Sequence, residues 1–224
     1  MNIGIIPARA GSKRFPGKNK ALLNGVPLWL RAALMSIQTM DDTIISTDDQ
    51  EIISGSPYKI SERPEHLRDG MSYRIDDVLL DMVGSCGFSG CDVLYLFQPA
   101  TPFLNPGTIE VCLTAMLNWP EAESVQTLFP VSNILHAYSQ RVINGWVAFA
   151  FPELREKHFN SQKKVPHYAF AGFVGCRVKA LCENGNIWGT RSIGVITHMF
   201  EGFDIDTEED LKYAESFIAS QLAV

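Results

Sequence analysis

The sequence predicts an α/β fold with a mostly parallel central sheet, on three observations. A short apolar run at residues 3–7 empties into a glycine-bearing cationic loop and then into a segment with helical apolar spacing. Further β-prone runs follow at 43–46, 58–60, 91–97 and 124–129, with stretches of helical periodicity between them. The 91–97 run, Cys-Asp-Val-Leu-Tyr-Leu-Phe, is apolar and free of glycine and proline, as a strand covered on both faces requires. Strands alternating with helices build parallel sheets, and 224 residues suffice for one such domain with a full core.

The first loop carries Arg9, Lys13, Arg14, Lys18 and Lys20 within twelve residues. It is not a Walker A loop, because five residues separate Gly11 from Gly17 and Asn19 follows Lys18; the dinucleotide pattern G-x-G-x-x-G is absent too. Backbone N–H groups and ammonium charges at a β-to-α turn suit phosphate. Residues 24–27 read as a turn, and a helix over 28–40 starts with Pro27 at its first position. After the 43–46 strand, Thr47-Asp48-Asp49 offers N-cap chemistry for a short helix over 50–54; Asp48 either caps it or faces a ligand. After the 58–60 strand a polar connection, 62–72, leads to a helix with Ile75, Val78, Leu79 and Met82 on its apolar face. On the residues alone, Arg63 is a surface cation tied to Glu62 or Asp69, and Ser72 is the N-cap.

The central strand ends at Gln98-Pro99-Ala100-Thr101-Pro102, whose prolines pin an extended loop. The Gln98 amide suits a polyhydroxylated ligand or satisfies loop backbone. Asn105 caps the next helix, with Ile109, Leu113, Met116 and Leu117 as its apolar positions. After the 124–129 strand the rhythm breaks. Asn144-Gly145 between apolar residues signals a hairpin within 138–151, followed by a polar stretch over 155–164. Residues 133–166 thus read as an insertion in a single domain spanning 1–224, and Trp146, Phe149 and Phe151 on it predict a subunit interface. The core resumes over 168–175, with a short helix at 178–183 and a strand at 192–200. Thr207 followed by Glu208, Glu209 and Asp210 starts a last helix that runs to about residue 222. Asp204 and Asp206, two apart in an extended segment, point to one face, where they either enter the helix or hold Mg²⁺.

Composition bounds the partners. Net charge is −6, with 46% apolar and 20% charged residues. The cations are local in an acidic chain, which argues against general nucleic-acid binding and for a small anion. Five cysteines at irregular spacing, without a C-x-x-C pair, suggest reduced thiols rather than disulfides or zinc. No run approaches the ~18 apolar residues of a membrane helix and no leader pattern is present, so a cytoplasmic protein without membrane partners is expected.

Together these residues resemble the acylneuraminate cytidylyltransferase family, the CMP-sialic acid synthetases and their relatives for other nonulosonic acids. The resemblance rests on Ile5-Ile6-Pro7-Ala8-Arg9-x-Gly11-Ser12-Lys13 with Lys18-Asn19, on Ser46-Thr47-Asp48, and on Arg63-Pro64 with Leu67 and Ser72. Gln98-Pro99-x-Thr101-Pro102 and Asp204-Ile205-Asp206-Thr207-x-x-Asp210-Leu211 complete it, in order along nearly the whole chain. The 3-deoxy-manno-octulosonate enzymes are a poorer match, since Gly11-Ser12-Lys13 and Asn19 follow the sialic-acid type. The resemblance implies a Rossmann-like three-layer sandwich whose β-hairpin insertion dimerises, and an enzyme that joins CTP to a sugar acid with release of pyrophosphate. It also implies roles: Arg9, Ser12, Lys13 and Lys18 on the triphosphate, Asn19, Arg63 and Ser72 facing the cytidine, Gln98 on the sugar acid, and Asp204 and Asp206 on Mg²⁺. Arg14 and Lys20 become supporting charges. Two departures touch the sugar. Leu104 stands where the family often has arginine, and Phe170-Ala171-Gly172-Phe173 replaces a block that would give amide contacts, in a form closer to pseudaminic-acid-type enzymes. A non-catalytic nucleotide-binding relative and a nucleotidyltransferase for a sugar 1-phosphate remain open readings.

Overall fold

The structure is a computed structural model that describes residues 1–69, 72–160 and 164–222. Its centre is β1 (Asn2–Pro7), which pairs in parallel with β4 (Asp42–Thr47) on one side and β6 (Val93–Phe97) on the other. The chain runs from β1 through β4 to β5 (Lys59–Glu62) in one direction, then returns across β1 to β6. That reversal is a topological switch point, where connections leave the strand ends toward opposite faces and open a crevice. The sheet continues through β10 (Tyr168–Arg177) and β7 (Ser124–Pro130) to β11 (Ser192–Ile196). Only β10 runs antiparallel among these seven strands.

Strand alternation divides the core. Ile3, Ile5, Leu94 and Leu96 face α3 (Ile75–Cys86) and α6 (Val178–Asn184), through Val78, Leu79, Met82 and Leu181. Ile6, Val93, Tyr95 and Phe97 face the other way, toward Ala33 of α1 (Leu28–Thr39) and Ile109, Cys112 and Met116 of α4 (Pro106–Asn118). This is the expected three-layer sandwich, produced by a period of two along strands and 3.6 along helices. A third cluster, Phe15, Leu23, Leu28, Ile205 and Ala214, seats α7 (Glu208–Leu222) beside the first loop.

Several local expectations are corrected. Pro27 is the N-cap of α1 and not its first helical residue, because residues 22–27 form a small hairpin, β2 (Leu22–Leu23) with β3 (Val26–Pro27), turned by Asn24 and Gly25 at φ 50 and 77°. Asp49 caps α2 (Gln50–Gly55) by accepting from the Glu51 N–H, so Asp48 is not the cap. Arg74 stands at the N-cap of α3, and Ser72 is not the cap: its hydroxyl donates to Asp69 at 2.8 Å. Leu117 is 79% exposed, and Cys112 takes the buried place on α4. β11 stops at Ile196, with a 3₁₀ turn at Met199–Gly202. Thr207 and Asp210 cap α7 reciprocally, by Asp210 N–H to Thr207 Oγ1 and Thr207 N–H to the Asp210 carboxylate.

The hairpin forms as β8 (Arg141–Asn144) and β9 (Trp146–Phe149), a separate two-stranded sheet turned by Gly145 at φ 75°. Trp146 is 87% exposed and Ile143 80%, whereas Phe149 is half-buried beneath the guanidinium groups of Arg141 and Arg155. After α5 (Pro152–Lys157), residues 161–163 of the polar stretch lie outside the described residues, as do 70–71 of the 62–72 connection.

Glu123 ties the start of β7 to the connection before β11. Its carboxylate accepts from the N–H groups of Thr190 and Arg191, from Asn184 and from the Arg191 guanidinium. The Thr190 backbone bond above all pulls its pKa down from 4.5 to about 2, against the opposing effect of desolvation. A depressed carboxyl contributes stability above the unfolded value that is lost as pH falls through the folded one. Glu123→Gln is therefore expected to be less stable than the parent at neutral pH. In urea unfolding the difference should close as pH drops from 4.5 toward about 2; a pH-independent difference would show that the charge is not what matters.

Candidate functional site

The cationic loop is built onto the end of β4. Ala8 N–H donates to Ser46 O at 2.9 Å, and Thr47 Oγ1 donates to Ala8 O at 2.6 Å. Asp48 accepts from Ala10 N–H at 2.8 Å, so this carboxylate holds loop backbone, the third possibility besides capping and ligand contact. Asn19 donates to Arg9 O at 2.8 Å across the loop. Lys20 pairs with Asp49 and Glu51 at 3.2 and 3.0 Å and fastens the loop's far end to α2. Gly17 at φ 72° starts the 3₁₀ turn Lys18–Lys20, a conformation in which a Cβ is strained. Phe15, 8% exposed, anchors the loop in the third core cluster. Ordering comes from this backbone network, which leaves side chains to face outward.

They face a cavity of about 410 Å³ at the carboxyl ends of β1 and β6, at the switch point. Arg9, Ser12, Lys13, Lys18, Asn19, Arg63, Gln98 and Asp206 all line it, although they come from both ends of the chain. Arg14, expected as a supporting charge, lines it too and pairs with Asp206 at 2.7 Å. Ser72 and Asp204 are not among its lining residues.

Arg63 is 3% exposed, which overturns its reading as a surface cation. Its Nε donates to Ser46 Oγ at 3.1 Å and its Nη1 to the Tyr73 hydroxyl at 2.9 Å; Glu62 is taken by Arg68 instead. Burial lowers the Arg63 pKa, but a guanidinium remains charged. Ser72, expected beside it, is exposed and turned onto Asp69, while its neighbour Tyr73 lines the cavity. No sequence signal singled out Tyr73, since an aromatic just before a helix reads as packing.

At the other end Ile205 is fully buried and its N–H donates to Ala100 O at 2.8 Å, which brings Asp206 against the loop that begins at Gln98. Asp206 pairs with Lys18 at 3.1 Å and with Arg14. Asp204 is exposed, yet loss of surrounding water and then the charge of Asp206 raise its carboxyl. Both side chains are carboxylates, the oxygen donors that a hard cation takes while keeping water and phosphate in its shell, but only Asp206 lines the cavity. Among the described residues no group of three or more His, Cys, Asp or Glu side chains is gathered for a metal.

The sugar-side departures are structural. Leu104 is 8% exposed in the α1/α4 core and lines a second chamber of about 30 Å³, which shares Gln98 and Pro99 with the lining of the main cavity. Ala171 is fully buried, and a Cβ on Gly172, at φ 87°, would meet Thr101 Cγ2 at 2.6 Å. These residues form a bulge in β10 that Thr127 Oγ1 bridges through Phe173 N–H and O at 3.2 Å. The block therefore does not line the cavity as an amide surface; it seats the Gln98–Pro102 loop.

Comparison with known proteins gives a family and a shared fold. A protein-family model described as cytidylyltransferase covers residues 3–143. The CMP-N,N'-diacetyllegionaminic acid synthase of Legionella pneumophila is 27% identical over 226 residues, 96% of this chain and 95% of that protein. An 8-amino-3,8-dideoxy-manno-octulosonate cytidylyltransferase of Shewanella sp. (strain ANA-3) is 25% identical over 98% of this chain and 99% of its own. The solved structure of CMP:2-keto-3-deoxy-manno-octonic acid synthetase complexed with CTP superposes with a TM-score of 0.72 at 19% identity, covering 98% of this chain and 99% of that one, and shows the shared fold.

Asp48→Ala should weaken binding of inorganic tripolyphosphate, followed by titration calorimetry, by about tenfold without unfolding the sheet, because one charge-assisted bond to the loop is lost. Unchanged affinity would mean that the loop is ordered without this carboxylate.

Proposed function

The chain belongs to the cytidylyltransferase family, and on that premise we propose that it activates a nonulosonic, sialic-acid-like sugar acid with CTP, giving a CMP-sugar and pyrophosphate. The observation that carries this reading is the meeting of the cationic loop with Asp206 in one switch-point cavity, by the 3.1 Å bond from Lys18 across 188 positions. The relatives named for CMP-sugar-acid synthesis support the substrate class.

Arg9, Ser12, Lys13 and Lys18, with Arg14, hold the triphosphate. Asn19 and Arg63 face the cytidine, and Gln98 contacts the sugar acid. The anomeric hydroxyl attacks the α-phosphorus; the new O–P bond forms as the bond to the bridging oxygen of pyrophosphate breaks, and the hydroxyl's proton passes to water. The protein supplies alignment of the two substrates and fixed positive charge where negative charge accumulates on the leaving group. Asp204 and Asp206 are the residues that would hold Mg²⁺, which polarises phosphate oxygens and acidifies a nearby hydroxyl.

A homodimer through residues 133–166 completes the proposal, supported by the exposure of Ile143 and Trp146 on the separate hairpin sheet. All five cysteines are free thiols, which supports a reducing, cytoplasmic setting. Among the described residues no helix is long and apolar enough to cross a membrane.

Pyrophosphate release from CTP with Mg²⁺ across a panel of nonulosonic acids tests the reaction. CTP binding without turnover on any acid would mark a non-catalytic relative, and activity with UTP or GTP on a sugar 1-phosphate would replace the reading. Asp206→Ala should lower turnover about a hundredfold or more with the fold intact; near-normal turnover would remove Asp206 from the centre. Trp146→Asp should shift the protein from dimer to monomer in light scattering, and a parent that is itself monomeric would refute the interface.

A further inference from the structure

We propose that Tyr73 is the base-reading residue of the site, its hydroxyl donating to N3 of the cytosine ring. The inference rests on the cytidylyltransferase reading and adds a residue and an atom to it.

The first support is position. Arg63 follows β5 and leans on Ser46 near the carboxyl end of β4, whereas Gln98 follows β6, with β1 and its cationic loop between them. The triphosphate lies over the cationic loop, so the nucleoside and the sugar acid occupy opposite flanks. Tyr73 stands on the Arg63 flank, bonded to that guanidinium, in the cavity that Gln98 also lines.

The second is proton direction. A guanidinium has donors only, so Arg63 Nη1 donates to the Tyr73 oxygen at 2.9 Å and the hydroxyl's own proton must point elsewhere. The Tyr73 ring packs half-buried against the α3-side core beside Ile75, which fixes where that oxygen sits. A phenol that already accepts from a cation is a strengthened donor. Cytosine offers an unprotonated ring N3 next to the O2 carbonyl. Uracil carries a proton at N3, so a hydroxyl locked as a donor faces another donor there. The Arg63–Tyr73 pair thus distinguishes CTP from UTP by the direction of one hydrogen bond, and Arg63 acts on that choice by orienting the hydroxyl.

Tyr73→Phe keeps the ring and its packing and removes only the hydroxyl. With parent and variant shown to unfold at similar temperatures, titration calorimetry with CTP, UTP and dCTP, without sugar acid, reads the effect. CTP affinity should fall about tenfold or more, with UTP affinity nearly unchanged, so that the CTP-to-UTP ratio falls by a similar factor. The dCTP-to-CTP ratio should stay constant. Unchanged CTP affinity, equal weakening of CTP and UTP, or a shift confined to dCTP discrimination would each overturn the assignment. So would a raised KM for the sugar acid with CTP affinity intact, which would move Tyr73 to the sugar flank. A parent protein that binds no CTP would sink the cytidylyltransferase reading and this inference together. A parent that binds CTP and a variant that binds it equally well would sink this inference alone.

Discussion

The site depends on β1 lying between β4 and β6. Because the chain fills the sheet outward from β1 in one direction and then returns to its other side, no connection crosses the carboxyl ends of β1 and β6. The crevice left there is a consequence of strand order, independent of which residues line it. Each strand presents alternate residues to opposite helical layers, Ile5 to one and Ile6 to the other, so burial on both faces holds this register. Slipping β1 by one residue would exchange its two apolar faces and tilt the cationic loop out of the crevice.

The loop itself has little regular structure, and its order is borrowed from β4. Ser46, Thr47 and Asp48 bond in succession to the loop or to Arg63 through backbone oxygen, hydroxyl and carboxylate. One short stretch thereby positions both the phosphate-facing cations and the buried guanidinium. Charge follows the same geometry. Arg9, Lys13, Arg14, Lys18 and Arg63 line the cavity against Asp69 and Asp206, five positive charges less two negative, or +3, in a chain whose net charge is −6. Such a local reversal concentrates field on a polyanion without making the surface generally basic.

Much of the site was legible because its residue types are rare in the company they keep. Five cations in twelve residues after a buried strand pointed to phosphate, and the two prolines after Gln98 pointed to a rigid loop. Arg63 was misread from its own neighbourhood, since Glu62 and Asp69 are near in sequence and the Ser46 and Tyr73 partners that bury it are not predictable from spacing. Ser72 and Tyr73 show the same limit. Adjacent residues in an irregular segment point different ways, and only packing of the Tyr73 ring against the core decides which one enters the cavity. Gly172 carries no motif that reports its contact with Thr101 from a strand distant in sequence.

What the sequence by itself determined is local and periodic: the strands and helices, the caps at Asn105 and Thr207, the hairpin turn at Gly145, and the concentration of positive charge in the first loop. These follow from backbone conformational preference and from alternation of apolar residues, both written into short windows. The tertiary structure decided which charges meet. Asp206 reaches Lys18 because Ile205 is buried beside Ala100, Asp48 serves loop backbone because β4 ends next to Ala8, and β10 runs against its neighbours to seat the Gln98 loop. Those contacts join residues far apart in the chain, and their partners are chosen by strand order and close packing, which no window of sequence contains.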